Sequence, residues 1–273
     1  MRRIVSITFI CFIGHLLQAE CNNGEIELWD NCYGIDATYE LDLSDQGLSG
    51  SIPNEISQLS NLMFLNLSNN NLEGSIPQEI VYMETLLGFD LSHNSLTGSI
   101  PEDLGNLTNL MAMDLSHNQL SGTFPSSVGN MTGLVECAVN HNQLTGVLPI
   151  ELGQLLFLAE FYANDNQFTG IIPEAMCESG ISFSNPLNFN IGGNAFCPPY
   201  PDCIEPFTGQ QQIVECIGVY ELFDSLYYAQ EIIELDLSNT GLTGNISLNI
   251  GNFTNLVSID LSQNELTGPI PSE

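Results

Sequence analysis

Apolar and polar positions alternate along this chain in a unit that repeats every 24 residues. Leu65–Pro77 reads LNLSNNNLEGSIP, and Phe89–Pro101 reads FDLSHNSLTGSIP. In each unit the alternation around a residue such as Asn66 predicts one short strand with its flanking leucines inward. Asn70 falls where the chain turns away from the strand, and we predict that its amide satisfies backbone groups left unpaired by the turn. A glycine then permits a tight bend before Pro77 and a short helical stretch.

The strand-start positions keep the 24-residue step through six consecutive units: Leu41, Leu65, Phe89, Met113, Cys137 and Phe161. One unit cannot bury its own apolar face, so the units must stack. Stacking pairs the strands of successive units in parallel at about 4.8 Å, which predicts one continuous sheet.

The pattern LxxLxLxxNxLxGxIP covers most of Leu41–Pro271 and resembles the plant-type leucine-rich repeat. That family includes receptor-kinase ectodomains and polygalacturonase-inhibiting proteins. The resemblance implies an α/β repeat solenoid: a right-handed superhelix with the parallel β-sheet on its concave face and a short 3-10 or irregular convex side. The bordering segments ELWDNCYGI and CPPYPDCI look most like those of exported bacterial and environmental members.

The repeats form two arrays, because the segment from Glu27 recurs from Glu221 at an offset of 194 residues. The second array stops after two units, which suggests a fragment that continues into further repeat modules or an anchor. A natural terminus that docks on something else is the alternative. The predicted divisions are a signal peptide at 1–19, an N-terminal cap at 20–40, a first array at 41–203, a linker and second cap at 204–234, and a second array at 235–273.

The charge balance excludes several function classes. The chain has 33 acidic residues and a formal net charge of −31, and Arg2 and Arg3 are its only basic residues. Both lie in the predicted signal peptide, whose removal leaves no Lys or Arg. Such a chain has no cation for nucleic-acid phosphates, anionic membranes or a phosphate-binding loop. We therefore expect a secreted or cell-surface protein with no nucleic-acid partner.

Cysteine usage fits an oxidising compartment. Cys137 occupies an inward strand position and is predicted to be a buried free thiol. Six others lie in the caps: Cys21, Cys32, Cys177, Cys197, Cys203 and Cys216. Six cysteines allow 15 pairings. The 194-residue offset leaves Cys216 without the partner that Cys21 has, and this favours Cys21–Cys32, Cys177–Cys197 and Cys203–Cys216. A Cys197–Cys203 pair, resembling the C-terminal cap bridge of plant members, is the alternative.

Equivalent positions stack into columns on the predicted sheet, and two of them face outward. One, here the Asp column, contains Asp42, Asn66, Asp90, Asp114, Ala138, Tyr162 and Asn190. The other, the Glu column, contains Glu40, Phe64, Gly88, Ala112, Glu136 and Glu160. Carboxylates accept hydrogen bonds from sugar hydroxyls or basic side chains, and aromatic rings stack on a ligand. The predicted ligand surface is Phe64, Asp90, Asp114, Glu136, Glu160 and Tyr162; solvated carboxylates of a common repeat wording are the alternative.

A third column, the histidine column, contains His93, His117 and His141, with Asp165 next. Stacked imidazoles could bind a transition metal or gain charge below pH 7. A purely structural role is favoured, since "LSHN" is common wording in such repeats. No dense calcium loop is present, so neither a metal nor a cofactor is predicted.

Catalysis finds no support in the sequence, which lacks GxSxG and HExxH motifs. Two hypotheses remain. The first is a non-catalytic module that binds a protein or glycan on its concave face. The second is a structural cell-surface or adhesin array; an inhibitor of a secreted glycosidase is a narrower form of the first.

Overall fold

The structure, a computed structural model, describes residues 21–271 apart from residues 184, 186, 213–215, 217–218, 224 and 230–231. The predicted signal peptide at 1–19 lies outside the described residues. From Glu40 onward the chain winds into stacked coils, and each coil contributes a strand, a turn, a second short strand and a 3-10 turn.

Sheet 1 is parallel and has seven strands, as the repeat predicts. Its strands pair with a 24-residue register, for example Glu136 with Glu160 and Cys137 with Phe161. The side chains of Leu65 and Cys137 point inward and are buried, so the alternation of the sequence sets which face is exposed. The strands are Glu40–Asp42, Phe64–Asn66, Gly88–Asp90, Ala112–Asp114, Glu136–Ala138, Glu160–Tyr162 and Phe189–Asn190.

A second parallel sheet of seven strands, sheet 2, follows the turn in each coil. The sequence analysis predicted one sheet, and sheet 2 corrects it. Its glycines, such as Gly74 with φ 78°, bend each strand while the strand still pairs with the next coil. The strands are Ser49–Gly50, Asn71–Gly74, Ser95–Ser99, Gln119–Thr123, Gln143–Gly146, Gln167–Ile171 and Ala195–Cys197.

The predicted short helical stretches are 3-10 helices, and each of the first six follows a proline in an extended conformation. Leu, Ile, Val, Met and Phe side chains from both sheets and these helices form one continuous core along the first array. Cys137 lies in that core as a free thiol, as predicted, and burial raises the pKa of its thiol. The helices are Asn54–Gln58, Gln78–Tyr82, Glu102–Asn106, Ser126–Asn130, Ile150–Gln154, Glu174–Glu178, Glu205–Phe207 and Leu248–Asn252.

Each array is preceded by an antiparallel hairpin. The first hairpin pairs Glu25–Leu28 with Asn31–Gly34, and the second pairs Val219–Leu222 with Ser225–Tyr228. After the second hairpin, a small core forms around Leu235 and Phe253. The strands of this second array pair in parallel, Glu234–Asp236 with Ser258–Asp260 and Thr243–Asn245 with Glu265–Thr267.

The disulfides confirm one predicted pair and correct the other two. Cys21 is bonded to Cys32 as expected, but Cys177 is bonded to Cys203 and Cys197 to Cys216. Cys177 lies in a 3-10 helix, whereas Cys197 ends a strand of sheet 2. After Thr208 the chain runs back along the last coil, where Gln210 O accepts the Gly193 N–H at 2.7 Å. This return path brings Cys216 to Cys197, so neither the predicted Cys177–Cys197 and Cys203–Cys216 pairs nor the alternative Cys197–Cys203 pair forms.

Candidate functional site

The Asp and Asn side chains of the Asp column accept hydrogen bonds from the turn that follows their strands of sheet 1. Asp90 Oδ1 accepts a hydrogen bond from Ser92 N, and Asp114 Oδ1 accepts one from Ser116 N, both at 2.8 Å. Asn66 Oδ1 makes the same contact with Ser68 N at 3.0 Å. These bonds fix the side chains on the exposed face of the sheet. The sequence analysis missed this role, although the Asp-x-Ser spacing is its signal.

Part of the exposed face of sheet 1 forms an open groove of about 340 Å³. Its outward lining comes from five coils: Glu40, Asp42, Phe64, Asn66, Gly88, Asp90, Ala112, Asp114 and Glu136. Four of the predicted ligand residues, Phe64, Asp90, Asp114 and Glu136, therefore meet at one place. Glu160 and Tyr162 lie on the next strand, beyond this lining.

The aromatic group of the groove is Phe64, which is 47% exposed. Its ring lies against Gly88 on the neighbouring strand, and a Cβ at Gly88 would come within 3.2 Å of Phe64 Cδ1. The absence of a side chain at position 88 thus allows the ring to lie along the sheet. Together with Ala112, these residues give the groove an apolar centre between its carboxylates.

The negative charge of the groove affects the pKa of the Glu136 carboxyl. Burial raises the pKa of Glu136, and the carboxylates of Glu160, Asp114 and Asp90 raise it further. On the next strand the Tyr162 hydroxyl shares its one proton between Leu187 O at 2.6 Å and Glu160 Oε2 at 3.0 Å. Burial, this hydrogen bond to Glu160 and the charges of Glu160 and Glu136 raise the pKa of Tyr162 to about 12. The hydrogen bond to Leu187 O connects Tyr162 to the following coil.

The histidine column is a stack of imidazole rings. The ring centroids of His93 and His117 are 4.1 Å apart, and those of His117 and His141 are 4.2 Å apart. His141 Nδ1 lies 3.5 Å from Asp165 Oδ2. All four residues adopt the left-handed backbone conformation, with φ between 53° and 55°, at the turn between the two sheets. Burial and the two neighbouring imidazoles lower the pKa of His117.

In the part of the chain that the structure describes, no group of three or more His, Cys, Asp or Glu side chains is arranged to hold a metal ion. The same residues contain no helix of the length and apolarity that a membrane span requires.

The sequence analysis missed one column beside the groove, most of whose members are exposed. In each coil the residue two positions before the first inward residue of sheet 1 is apolar, as Met63, Leu87 and Met111 are. The signal was present in the 24-residue alignment, but only positions within the strands were considered there.

Comparison with known proteins identifies the repeats. Five segments match the model of the Leucine Rich Repeat family, at residues 38–59, 61–83, 85–107, 109–131 and 255–273. A stretch of 43 residues, 16% of this chain, is 63% identical to the LRR receptor-like serine/threonine-protein kinase GSO2 of Arabidopsis thaliana. That stretch covers 3% of the kinase.

Solved plant structures share the fold. One is the LRR ectodomain of the Arabidopsis thaliana receptor kinase GASSHO1/SCHENGEN3 in complex with CASPARIAN STRIP INTEGRITY FACTOR 2, with 27% identity, a TM-score of 0.54, and coverage of 82% of this chain and 30% of that chain. The plant peptide hormone receptor RGFR1 in complex with RGF2 gives 27% identity, a TM-score of 0.56, and coverage of 85% and 40%. This chain thus spans less than half the length of each of these two chains. These relatives are plant proteins, and the expected likeness to bacterial members has no support among them.

Proposed function

Because this chain is a leucine-rich-repeat solenoid, we propose that it is a non-catalytic module that binds a peptide or protein on the exposed face of sheet 1. The observation that carries this proposal is the groove in which Phe64 meets the carboxylates of Asp90, Asp114 and Glu136. An aromatic centre with a charged border is the common anatomy of a protein-binding surface.

Its location and relatives support this role. The chain is extracellular, in keeping with its three disulfides and its similarity to receptor ectodomains. The ectodomain of GASSHO1/SCHENGEN3 and the receptor RGFR1 were each solved with a partner, and RGFR1 is a peptide hormone receptor, which supports a peptide or protein ligand. The carboxylates of the groove lie on an open sheet face, which favours recognition over catalysis.

We further propose that binding resides in the first module, residues 20–203, and that residues 204–273 begin a second module of the same kind. The hairpins at Glu25–Gly34 and Val219–Tyr228 support this division, since each stands at the same position before its array.

The test removes charge from the groove while keeping its turns. In the variant Asp90→Asn/Asp114→Asn/Glu136→Gln, the new amides retain an oxygen for the Ser92 and Ser116 N–H groups, as Asn66 does for Ser68. The control Glu79→Gln/Glu102→Gln/Glu151→Gln makes the same charge change on the 3-10 helices. The wild-type chain and both variants are probed on arrays of secreted proteins, synthetic peptides and glycans.

We expect the wild-type chain and the control to bind the same proteins or peptides, and the groove variant to lose them. Equal binding by the groove variant would overturn the proposed site. Binding confined to glycans would overturn the proposed ligand class.

A further inference from the structure

An apolar stripe runs along sheet 1 beside the groove. The residue two positions before the first inward residue of each strand is apolar in all seven coils of the first array, and we call this set the apolar rim: Tyr39, Met63, Leu87, Met111, Val135, Ala159 and Leu187. Ile233 and Val257 hold the same position in the second array. The residue type is therefore repeated at a position that comes just before each strand, where the side chain does not have to follow the strand alternation.

Backbone hydrogen bonds stack the rim residues directly over one another. The N–H of Met63 donates to Tyr39 O, that of Leu87 to Met63 O, and that of Val135 to Met111 O, each at 2.8 Å. Successive rim side chains are consequently one strand spacing apart, about 4.8 Å. From Tyr39 to Ala159 the rim is therefore a continuous line across the coils.

Five of the seven rim residues are exposed to solvent, and Leu87 and Ala159 are half-buried. Tyr39 is 56% exposed, Met111 50% and Leu187 77%. Two further exposed apolar residues, Leu156 at 65% and Phe157 at 69%, immediately precede the coil of Ala159. Isolated exposed apolar residues are ordinary, but a contiguous line of them on a soluble protein marks an interaction surface.

Charge determines which occupant fits. The rim borders the Glu column directly, so Glu40, Glu136 and Glu160 each follow a rim residue. A second copy of this chain, with a net charge of −31, would bring carboxylates against carboxylates, and an anionic membrane would be repelled in the same way. Lysine or arginine beside an apolar anchor would meet both features of the surface.

We propose that the apolar rim is a docking surface for an extended segment of a partner protein that carries apolar side chains on one side and lysine or arginine on the other. The flexible side chains of Met63 and Met111 can adapt to apolar groups whose spacing differs from the spacing of the coils. This inference rests on the proposed function only in taking the ligand to be a protein, because the rim lies outside the outward lining of the groove.

The test uses the full chain and three synthetic peptides of equal length: alternating leucine and lysine, alternating serine and lysine, and alternating leucine and glutamate. The rim variant is Met63→Gln/Met111→Gln/Val135→Gln. The control variant, Tyr82→Gln/Ile150→Gln/Leu248→Gln, changes three apolar residues on the 3-10 helices that are more exposed than those of the rim variant. Affinity is measured by fluorescence anisotropy at physiological salt, and thermal melting verifies that each variant is folded.

We expect the leucine–lysine peptide to bind at least about tenfold more tightly than either other peptide, and the rim variant to lose that margin while the control keeps it. Equal affinity for the serine–lysine peptide, or unchanged affinity of the rim variant, would overturn the inference. So would concentration-dependent dimerisation of the wild-type chain that the rim variant lacks, because the occupant would then be a second copy. The proteins or peptides found on the probe arrays could be lost by the groove variant but kept by the rim variant. In that case the proposed function would stand and this inference would be overturned.

Discussion

Asn118 illustrates how one side chain can serve two coils. Its Nδ2 donates to Leu91 O of the preceding coil at 2.9 Å and to Leu115 O of its own coil at 3.2 Å, while its Oδ1 accepts from Leu96 N at 3.0 Å. The same arrangement recurs in the coils before and after it, and we call the set the asparagine ladder: Asn70, Asn94, Asn118, Asn142, Asn166 and Asn194. A buried backbone group without a partner is costly, so each amide stabilises a turn that regular pairing cannot satisfy.

We expect Asn118→Ala to lower the free energy of unfolding by about 2–4 kcal/mol, because it leaves several buried backbone groups without partners. Urea unfolding followed by circular dichroism measures this change. Asn109→Ala is the control, since the exposed Asn109 amide makes one bond, to Glu84 O at 2.8 Å. Its effect should stay within about 0.5 kcal/mol. Similar losses in the two variants would contradict the role assigned to the ladder.

The stacked imidazoles predict a dependence of stability on pH. The pKa of His117 is lowered in the folded chain, so the unfolded chain takes up that proton more readily. The stability contributed by neutral His117 is therefore complete above its unfolded pKa and is lost as the pH falls below it. We expect His117→Gln to show a smaller decrease in melting temperature than the wild-type chain between about pH 7.5 and 5.5. An equal decrease in melting temperature for the two proteins across that pH range would refute this expectation.

At the scale of single residues, the sequence predicted what the repeat itself encodes. The turn-satisfying role of the asparagines and the buried thiol of Cys137 are confirmed. It missed the turn contacts of Asp90 and Asp114, whose signal is the Asp-x-Ser spacing, and it could not show that Tyr162 bonds to Leu187 O. The second kind of contact depends on the irregular length of the coil before Phe189, which breaks the register on which sequence reasoning relies.

At the scale of elements, the 3-10 helices of neighbouring coils stack closely. Gly105 lies against the next coil so tightly that a methyl group there would overlap the Ser127 carbonyl, and Gly129 and Gly153 meet the following helix in the same way. Small residues at these positions let neighbouring helices approach closely.

Gly105→Ala should therefore destabilise the chain by about 1–3 kcal/mol, as overpacking does in other tightly packed sites. Gly133→Ala is the control, because the nearest atom to its added methyl group is Leu110 O at 3.9 Å. We expect that variant to be neutral or slightly stabilised, through a less flexible unfolded chain. Guanidinium unfolding of both variants would contradict this account if Gly105→Ala matched the wild-type midpoint.

Sheet 2 shows the limit of prediction at the same scale. The first six strands of sheet 2 are two to five residues long and have a glycine at or near their end. In a sequence such a glycine normally indicates a bend, and the sequence analysis interpreted Gly74 in that way. The bend is present, but the flanking backbone pairs with the next coil as well. Pairing between coils is a property of the stack, so the pattern of one unit does not contain it.

Across the whole molecule, charge repulsion has little to oppose it. The chain carries a net charge of −31 with its histidines neutral, and among the residues that the structure describes His141–Asp165 is the one contact between a basic side chain and a carboxylate. Stability rests instead on the apolar core and on the asparagine ladder, which salt does not screen.

We accordingly expect the melting temperature to rise with the sodium chloride concentration. The rise should level off at about 0.5 M, where the screening length falls to about 4 Å. The control variant Glu79→Gln/Glu102→Gln/Glu151→Gln should show a weaker rise, because three of the repelling charges are gone. A melting temperature independent of salt, or an equal rise in both proteins, would argue against repulsion as the cause.

The register between coils also means that, outside the bends, residues can be added to the first array without damage only as whole 24-residue units. Adding one complete 24-residue unit between Pro101 and Pro125 would give every amide of the asparagine ladder a partner again. Adding a single residue to a strand of sheet 1 would turn the following leucines to the outside and break the ladder on both sides. Duplication of whole units is therefore the route by which such a gene can grow, and small insertions are confined to the bends.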